Sequence, residues 1–341
     1  MDKLKTKLRE MANTAAMERG MIDGVPFPAE IFIETSNSCN LKCVMCPMSA
    51  GIGRKAENMK FEMFKSIIDQ IAGIIPRVSL FLSGEPLLNS DLAKFVRYCS
   101  DNSMYTRIHT NGTLMSGQAA KDLIDAGLDE LSFSFDGPTE ERHMKMRVNS
   151  DFNKVVGNIK NFLRIKAVKH AVKPKTLIQS IYYPGESKET IEEGLRKLFS
   201  DVHGYETNVI PLHDFPKDME TSARVKPESR KDGYTAVCFV PYNRMAVYVD
   251  GTVVACCKDF RGKLVIGDNK NEPLLSIWNN TPMRELREKI AGKRYNEIPF
   301  CSNCDIAFEK PAVVSRRFPV LFSLAKRAAF EWIRRSDRGR R

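Results

Sequence analysis

Residues 29–47 read AEIFIETSNSCNLKCVMCP, a run of strand character leading without a break into three cysteines within eight positions, Cys39, Cys43 and Cys46. The first half, rich in β-branched and aromatic side chains, has the composition of a buried strand. Five further runs of the same kind follow at 77–84 (RVSLFLSG), 105–112 (YTRIHTNG), 130–137 (ELSFSFDG), 175–182 (KTLIQSIY) and 206–213 (ETNVIPLH), most of them closing on polar residues or glycine. Between them, apolar residues recur at helical spacing over 61–73, 92–102, 116–127, 152–166 and 189–199. Strands alternating with helices argue for βαβ units and a parallel sheet. Six such repeats predict an α/β fold, a partial (β/α)6 TIM-like barrel, whose chemistry sits at the C-terminal ends of the strands.

A polar, helical lead-in is expected over 1–28 and the barrel over 29–220. The pattern then changes to a linker (ARVKPESRKDG, 223–233), short strands around 244–257 with Asp250 and Gly251 as a hairpin turn, a helix near 281–292, and the pair Cys301 and Cys304. This predicts a small C-terminal α+β domain over 230–312, with the boundary between 215 and 235, and a basic amphipathic tail over 313–341.

Apolar residues make up 43% of the chain, enough for a substantial core. No run of about eighteen uncharged apolar residues occurs, and the N-terminus lacks the apolar stretch of a signal peptide, so a cytoplasmic protein is expected. There, nine cysteines read as metal ligands or catalytic thiols rather than disulfides. Of the formal net charge of +11, residues 313–341 carry +7, which leaves the body at +4. Basicity is thus a property of the tail, and no nucleic-acid partner is expected.

Four thiolates close a tetrahedral zinc or complete a [4Fe–4S] cube. Three, at the spacing Cys39-x3-Cys43-x2-Cys46, leave one corner open on a cluster, unless a distant fourth ligand completes a zinc site. This loop resembles the signature of the radical S-adenosylmethionine (SAM) enzymes, and the likeness continues in order along the next three strand ends. It implies that Cys39, Cys43 and Cys46 hold a [4Fe–4S] cluster whose free iron binds SAM, which is cleaved to a 5′-deoxyadenosyl radical. Ser83, Gly84, Glu85 and Pro86 are similar to the family's GGEP element, with Ser83 in place of the first glycine, and would meet the SAM ammonium. Thr110 and Asn111 end the third strand, and Ser132, Ser134 and Asp136 share one face of the fourth, where they would bind the ribose and the methionine carboxylate. Arg147 stands where the family often has an arginine for that carboxylate. Met45 replaces the usual aromatic residue and is expected to line the adenine.

Cys99 lies in a helix-period segment and is expected in the core. Cys238, Cys256, Cys301 and Cys304 resemble a Twitch domain, the shortened form of the SPASM domain, which implies one auxiliary [4Fe–4S] cluster; four-thiolate zinc is the alternative. Cys256 is chosen over Cys257 because neighbouring residues of a hairpin strand point to opposite faces. A closed cluster suits electron transfer, and hence an oxidation.

The resemblance implies a small-molecule substrate, a sugar or cyclitol whose alcohol is oxidised, and reduction by a flavodoxin- or ferredoxin-type protein. Candidates at the strand ends are Gln179, Tyr182, Asn208, His213 and Asp214, with His213 favoured as proton acceptor. In the tail, Leu321, Leu324, Ala325, Ala328 and Trp332 fall on one helical face. Two readings stand: a docking helix, or an interfacial helix on an anionic membrane, peripheral to its inner face. A peptide maturase and a non-catalytic iron–sulfur or zinc protein are the competing functions.

Overall fold

Six parallel strands, β1 (Glu30–Ile33), β2 (Arg77–Ser79), β3 (Tyr105–Thr110), β4 (Glu130–Ser134), β5 (Lys175–Tyr182) and β6 (Glu206–Pro211), lie side by side in sequence order, as the alternating pattern predicts. The computed structural model describes residues 2–212, 234, 236–308 and 319–338. Helix α1 (Asp2–Glu18) precedes the sheet; α2 (Phe61–Ile71), α3 (Leu92–Asp101), α4 (Gly117–Asp125), α5 (Glu140–Met146), α6 (Phe152–Val168) and α7 (Lys188–Leu198) connect its strands. Side-chain caps fix several starts: Ser116, Thr139, Asp151 and Ser187 each accept a backbone N–H of the following first turn. Of these helices, α5 has no counterpart in the sequence reading. It is seven residues of mostly charged side chains, too short to show a period.

Alternation along the strands sorts the side chains. Ile31, Val78, Ile108, Leu131 and Phe133 join the main core with the apolar faces of the helices, among them Phe64, Phe95 and Phe162. Cys99 is fully buried there. The other parity turns Phe32 and Phe81 inward, onto Ala246, Tyr248 and Val254.

The C-terminal segment does not stand apart from this sheet. After α8 (Val240–Asn243), β7 (Arg244–Val247) pairs parallel with β1 along its whole length, from Glu30↔Arg244 to Ile33↔Val247. It turns through Asp250 and Gly251 into antiparallel β8 (Thr252–Val254) and β9 (Val265–Asp268). The sheet therefore has nine strands in the order β6-β5-β4-β3-β2-β1-β7-β8-β9. The hairpin covers β1, which would otherwise present an open edge. Helices α9 (Leu274–Ile277) and α10 (Thr281–Ala291) follow.

The tail forms α11 (Pro319–Arg338), docked along α1. The expected face is corrected: Ala328 and Trp332 are exposed, and Ala329, Phe330 and Ile333 are buried instead. Two ion pairs with α1 select that face, Arg9–Asp337 at 2.9 Å and Lys326–Glu18 at 2.6 Å, and Arg19 lies over the Phe330 ring. The side chains of 321, 324 and 325 lie outside the described residues. No described helix is long and apolar enough to cross a membrane.

Candidate active site

The cysteine loop leaves the end of β1 and is fastened on three sides. A Cβ on Gly84 would overlap the Ser36 carbonyl oxygen and lie 2.5 Å from that of Ser38. Only glycine admits the loop so close to the end of β2, and the Glu85 N–H bonds to the Ser38 carbonyl at 2.8 Å. On the other flank, Lys42 N–H and Val44 N–H donate to the carbonyls of Val148 and Met146, beyond and at the end of α5. The Ser49 hydroxyl closes the turn onto the Cys43 carbonyl.

Cys39, Cys43 and Cys46 face one cavity of about 370 Å3 at the C-terminal ends of the strands. Ser83, Gly84, Glu85, Thr110, Asn111, Ser134 and Arg147 line it too, so most of the predicted SAM contacts are brought together. Met45 lies with Leu41, Ile181 and Leu212 on an apolar flank. Burial pushes the Cys39 thiol up to about 11 and the Cys46 thiol to about 12, and raises Cys43. N–H groups already face two of the sulfurs, Asn111 Nδ2 at 3.9 Å from Cys39 and Arg147 Nη1 at 3.8 Å from Cys43.

Several polar side chains are used within the protein rather than held open. Glu85 accepts from Thr110 Oγ1 at 2.7 Å, Asn111 N–H at 2.8 Å and Leu87 N–H at 3.1 Å. That occupies three of the roughly four lone-pair directions of a carboxylate, and burial raises its pKa. Pro86 is buried at the start of a short 3-10 turn and does not line the cavity. The expectation for the fourth strand end is corrected: of its three polar residues only Ser134 lines the cavity. Ser132 is fully buried, while Asp136 pairs with Arg147 at 2.7 Å and accepts the Ile181 N–H. The carboxylate expected to meet a ligand therefore holds the arginine in place.

Tyr182 is also corrected. It shares strand parity with Ile178, a fully buried core residue, and packs against the main core; its neighbour Ile181 lines the cavity. Asn208 and Gln179 hydrogen-bond to each other at 3.1 Å across β5 and β6. His213 and Asp214 lie outside the described residues.

Sequence reasoning missed five residues at this site. Glu34, fully buried, accepts two hydrogen bonds from Arg54 at 2.7 and 2.6 Å, one from Val249 N–H, and one from the Ser83 hydroxyl. An ionisable residue at an inward strand position was the available signal. His109, Lys258 and Phe260 line the cavity as well. Lys258, whose ammonium pairs with Asp305 at 2.7 Å, follows Cys256 by two residues.

A second pocket is lined by Cys238, Cys256, Cys301 and Cys304 among apolar residues including Val240, Leu286 and Phe300. Cys256 Sγ accepts the Lys258 N–H at 3.4 Å, whereas Cys257 is turned to the cluster of Phe32, Ala246 and Tyr248. Burial pushes Cys238 to about 12 and Cys304 to about 11, and raises Cys301. Thiols so buried ionise only for a metal centre or another fixed cation. Among the described residues, no three thiol, carboxylate or imidazole groups converge as ligands of a single ion. Sets of three and four thiols match in number the protein ligands of an open and of a closed iron–sulfur cube.

Comparison with known families decides what these cysteines belong to. Residues 33–198 match the Radical SAM superfamily and residues 238–305 the SPASM iron-sulfur cluster-binding domain. Residues 33–198 form a radical SAM domain. Its relatives include an AdoMet-dependent heme synthase of Oleidesulfovibrio alaskensis, 31% identical over 131 residues, 38% of this chain and 34% of that protein. The match thus spans about a third of that relative's length. An S-adenosyl-L-methionine-dependent 2-deoxy-scyllo-inosamine dehydrogenase of Niallia circulans is 22% identical over 279 residues, 81% of this chain and 92% of the relative. Peptide cyclases match over shorter stretches. Among solved structures, BtrN in complex with AdoMet and 2-DOIA shares the fold, with a TM-score of 0.55 at 18% identity over 84% of this chain and 97% of that one.

Proposed function

We propose that this radical SAM protein oxidises an alcohol of a small hydroxylated substrate, a sugar or cyclitol. The observation that carries the reading is the pairing of a three-thiol loop open to a cavity with a four-thiol pocket behind one apolar partition. Ile52, Phe260 and Phe300 form that partition, with Cys256 and Cys301 packed on it. Cys39, Cys43 and Cys46 would hold a cluster with one open iron for SAM, and Cys238, Cys256, Cys301 and Cys304 an auxiliary one. When bound, these groups supply the adenosyl radical that takes hydrogen from the carbinol carbon and accept the electron left behind.

The chain's own residues bind, orient and exclude water. Leu41, Met45, Ile181 and Leu212 offer an apolar flank to an adenine. Arg147 and Asn111 direct N–H groups at the sulfurs. His213 is the group assigned to accept the hydroxyl proton. The dehydrogenase relative, matched over 92% of its length, favours this substrate class. Reductant would come from a flavodoxin- or ferredoxin-type protein. The test is deuterium transfer: a cyclitol deuterated at the carbinol carbon should label 5′-deoxyadenosine. The matches to peptide cyclases favour a second reading, peptide maturation, and labelling by a precursor peptide but by no sugar or cyclitol would replace the first.

A further inference from the structure

Beside the three sulfurs, aromatic and basic side chains line part of the cavity. Phe81 of the segment after β2 and His109 of β3 stack face to face, with centroids 4.1 Å apart and planes 14° from parallel. Phe81 stands edge-on to Phe32 below it, 5.5 Å away. Arg107, one inward position back along β3, lies 5.6 Å from the Phe81 ring and is paired with Glu30 at 3.5 Å and Glu130 at 3.8 Å. The floor is therefore an aromatic pair resting on a charged layer whose members are already partnered. Phe260 and Lys258 reach the same cavity from the segment that follows β8.

Of the polar groups there, His109 is distinct. Glu85 spends its carboxylate on β3, Arg147 is fixed by Asp136, and Lys258 is paired with Asp305. The described structure gives the His109 ring a stacking partner and no hydrogen bond. A cavity-facing imidazole without an internal partner has a donor and an acceptor to offer a ligand. Burial, with Arg107 in support, lowers its pKa to about 3, so it stays neutral at working pH and keeps both roles.

We propose that His109 is the substrate-binding residue of this subsite: its imidazole hydrogen-bonds a hydroxyl of a ring compound whose apolar face lies on the Phe81–His109 pair and Phe260. The assignment rests on the alcohol-oxidation reading and names the side chains that would select its substrate. His109 is not the proton acceptor: a group this hard to protonate holds a hydroxyl in place rather than taking its proton. An aromatic surface with one neutral hydrogen-bonding group suits a hydroxylated ring better than an extended peptide, whose backbone would call for a row of donors and acceptors.

The test uses the reconstituted holoenzyme with SAM, and 2-deoxy-scyllo-inosamine and myo-inositol as probes. Carbethoxylation of histidines by diethyl pyrocarbonate, mapped by mass spectrometry, should reach His109, and a bound probe should slow it at least fivefold while leaving the exposed His203 unchanged. Where a probe is turned over, His109→Phe should raise its KM at least tenfold with kcat within about threefold, and His109→Gln should restore most of the loss. Labelling of His109 at under a tenth of the His203 rate, or a wild-type KM in His109→Phe, overturns the proposal. Protection of His109 by a probe that is never oxidised keeps the subsite and removes the oxidation reading. Neither protection nor turnover removes both.

Discussion

Glu34 and Arg54 form a bidentate ion pair inside the protein, with Nη–Oε distances of 2.7 and 2.6 Å, and the pair ties four chain segments together. Glu34 holds the Ser83 hydroxyl at the end of β2 and the Val249 N–H beyond β7. Arg54 donates through Nε to the Phe260 carbonyl at 3.0 Å and lies over the Tyr248 ring at 3.7 Å. Ser83 and Phe260 both line the cavity. One ion pair therefore fixes the end of β2 at the cavity and the wall contributed by the C-terminal segment. Arg54→Met strands a buried carboxylate and should cost about 3–5 kcal/mol; the Glu34→Gln/Arg54→Met double variant should lose less than the two single variants summed. Chemical denaturation of all three variants measures this, and strictly additive losses would show that the pair is not coupled.

At Gly84 the cysteine loop comes too close to the segment after β2 to admit a Cβ. Gly84→Ala should displace residues 36–38, lowering both stability and iron incorporation at the three-cysteine loop. Gly157, in α6 with nothing within 4 Å of an added Cβ, is the control, and Gly157→Ala should stabilise by up to about 1 kcal/mol. Thermal unfolding and iron analysis of both variants check the contrast.

Cys256 and Cys257 are adjacent in sequence and separated in space. Cys256→Ala should drop the reconstituted iron from about eight to about four per chain, while Cys257→Ala should keep the full complement. Equal iron in the two variants would refute the assignment of the auxiliary ligands.

His143 of α5 is fully buried, with Nε2 2.9 Å from the Ser150 hydroxyl. Burial, and next Arg147, lower its pKa from 6.5 to about 4. A base depressed on folding stays neutral while the unfolded chain takes up a proton, so stability falls as pH drops from about 6.5 toward 4. His143→Gln should flatten that part of the stability–pH curve, measured by urea unfolding at several pH values. An unchanged slope would contradict the shift.

What was legible in the sequence was local. Cys39, Cys43 and Cys46 stand out by their spacing, and the six strands by runs of β-branched and aromatic residues. What was not legible depends on how distant segments meet. The pairing of β7 with β1 joins residues more than two hundred positions apart. Tyr182 and Ile181 are neighbours, and only the register of β5 against β4 and β6 decides which of them faces the cavity. Asp136 reads as a ligand group until Arg147 folds onto it, and Lys258 looks like a surface residue until its loop closes on the cavity.

Everything proposed for this cavity depends on Cys39, Cys43 and Cys46 holding a redox cluster with an open site for SAM. The most direct test is anaerobic reconstitution with iron and sulfide, reduction with dithionite, and chromatographic detection of 5′-deoxyadenosine from added SAM. The native protein should cleave SAM, and Cys39→Ala should fall to background. Bound zinc with no 5′-deoxyadenosine, or cleavage undiminished in Cys39→Ala, would contradict this.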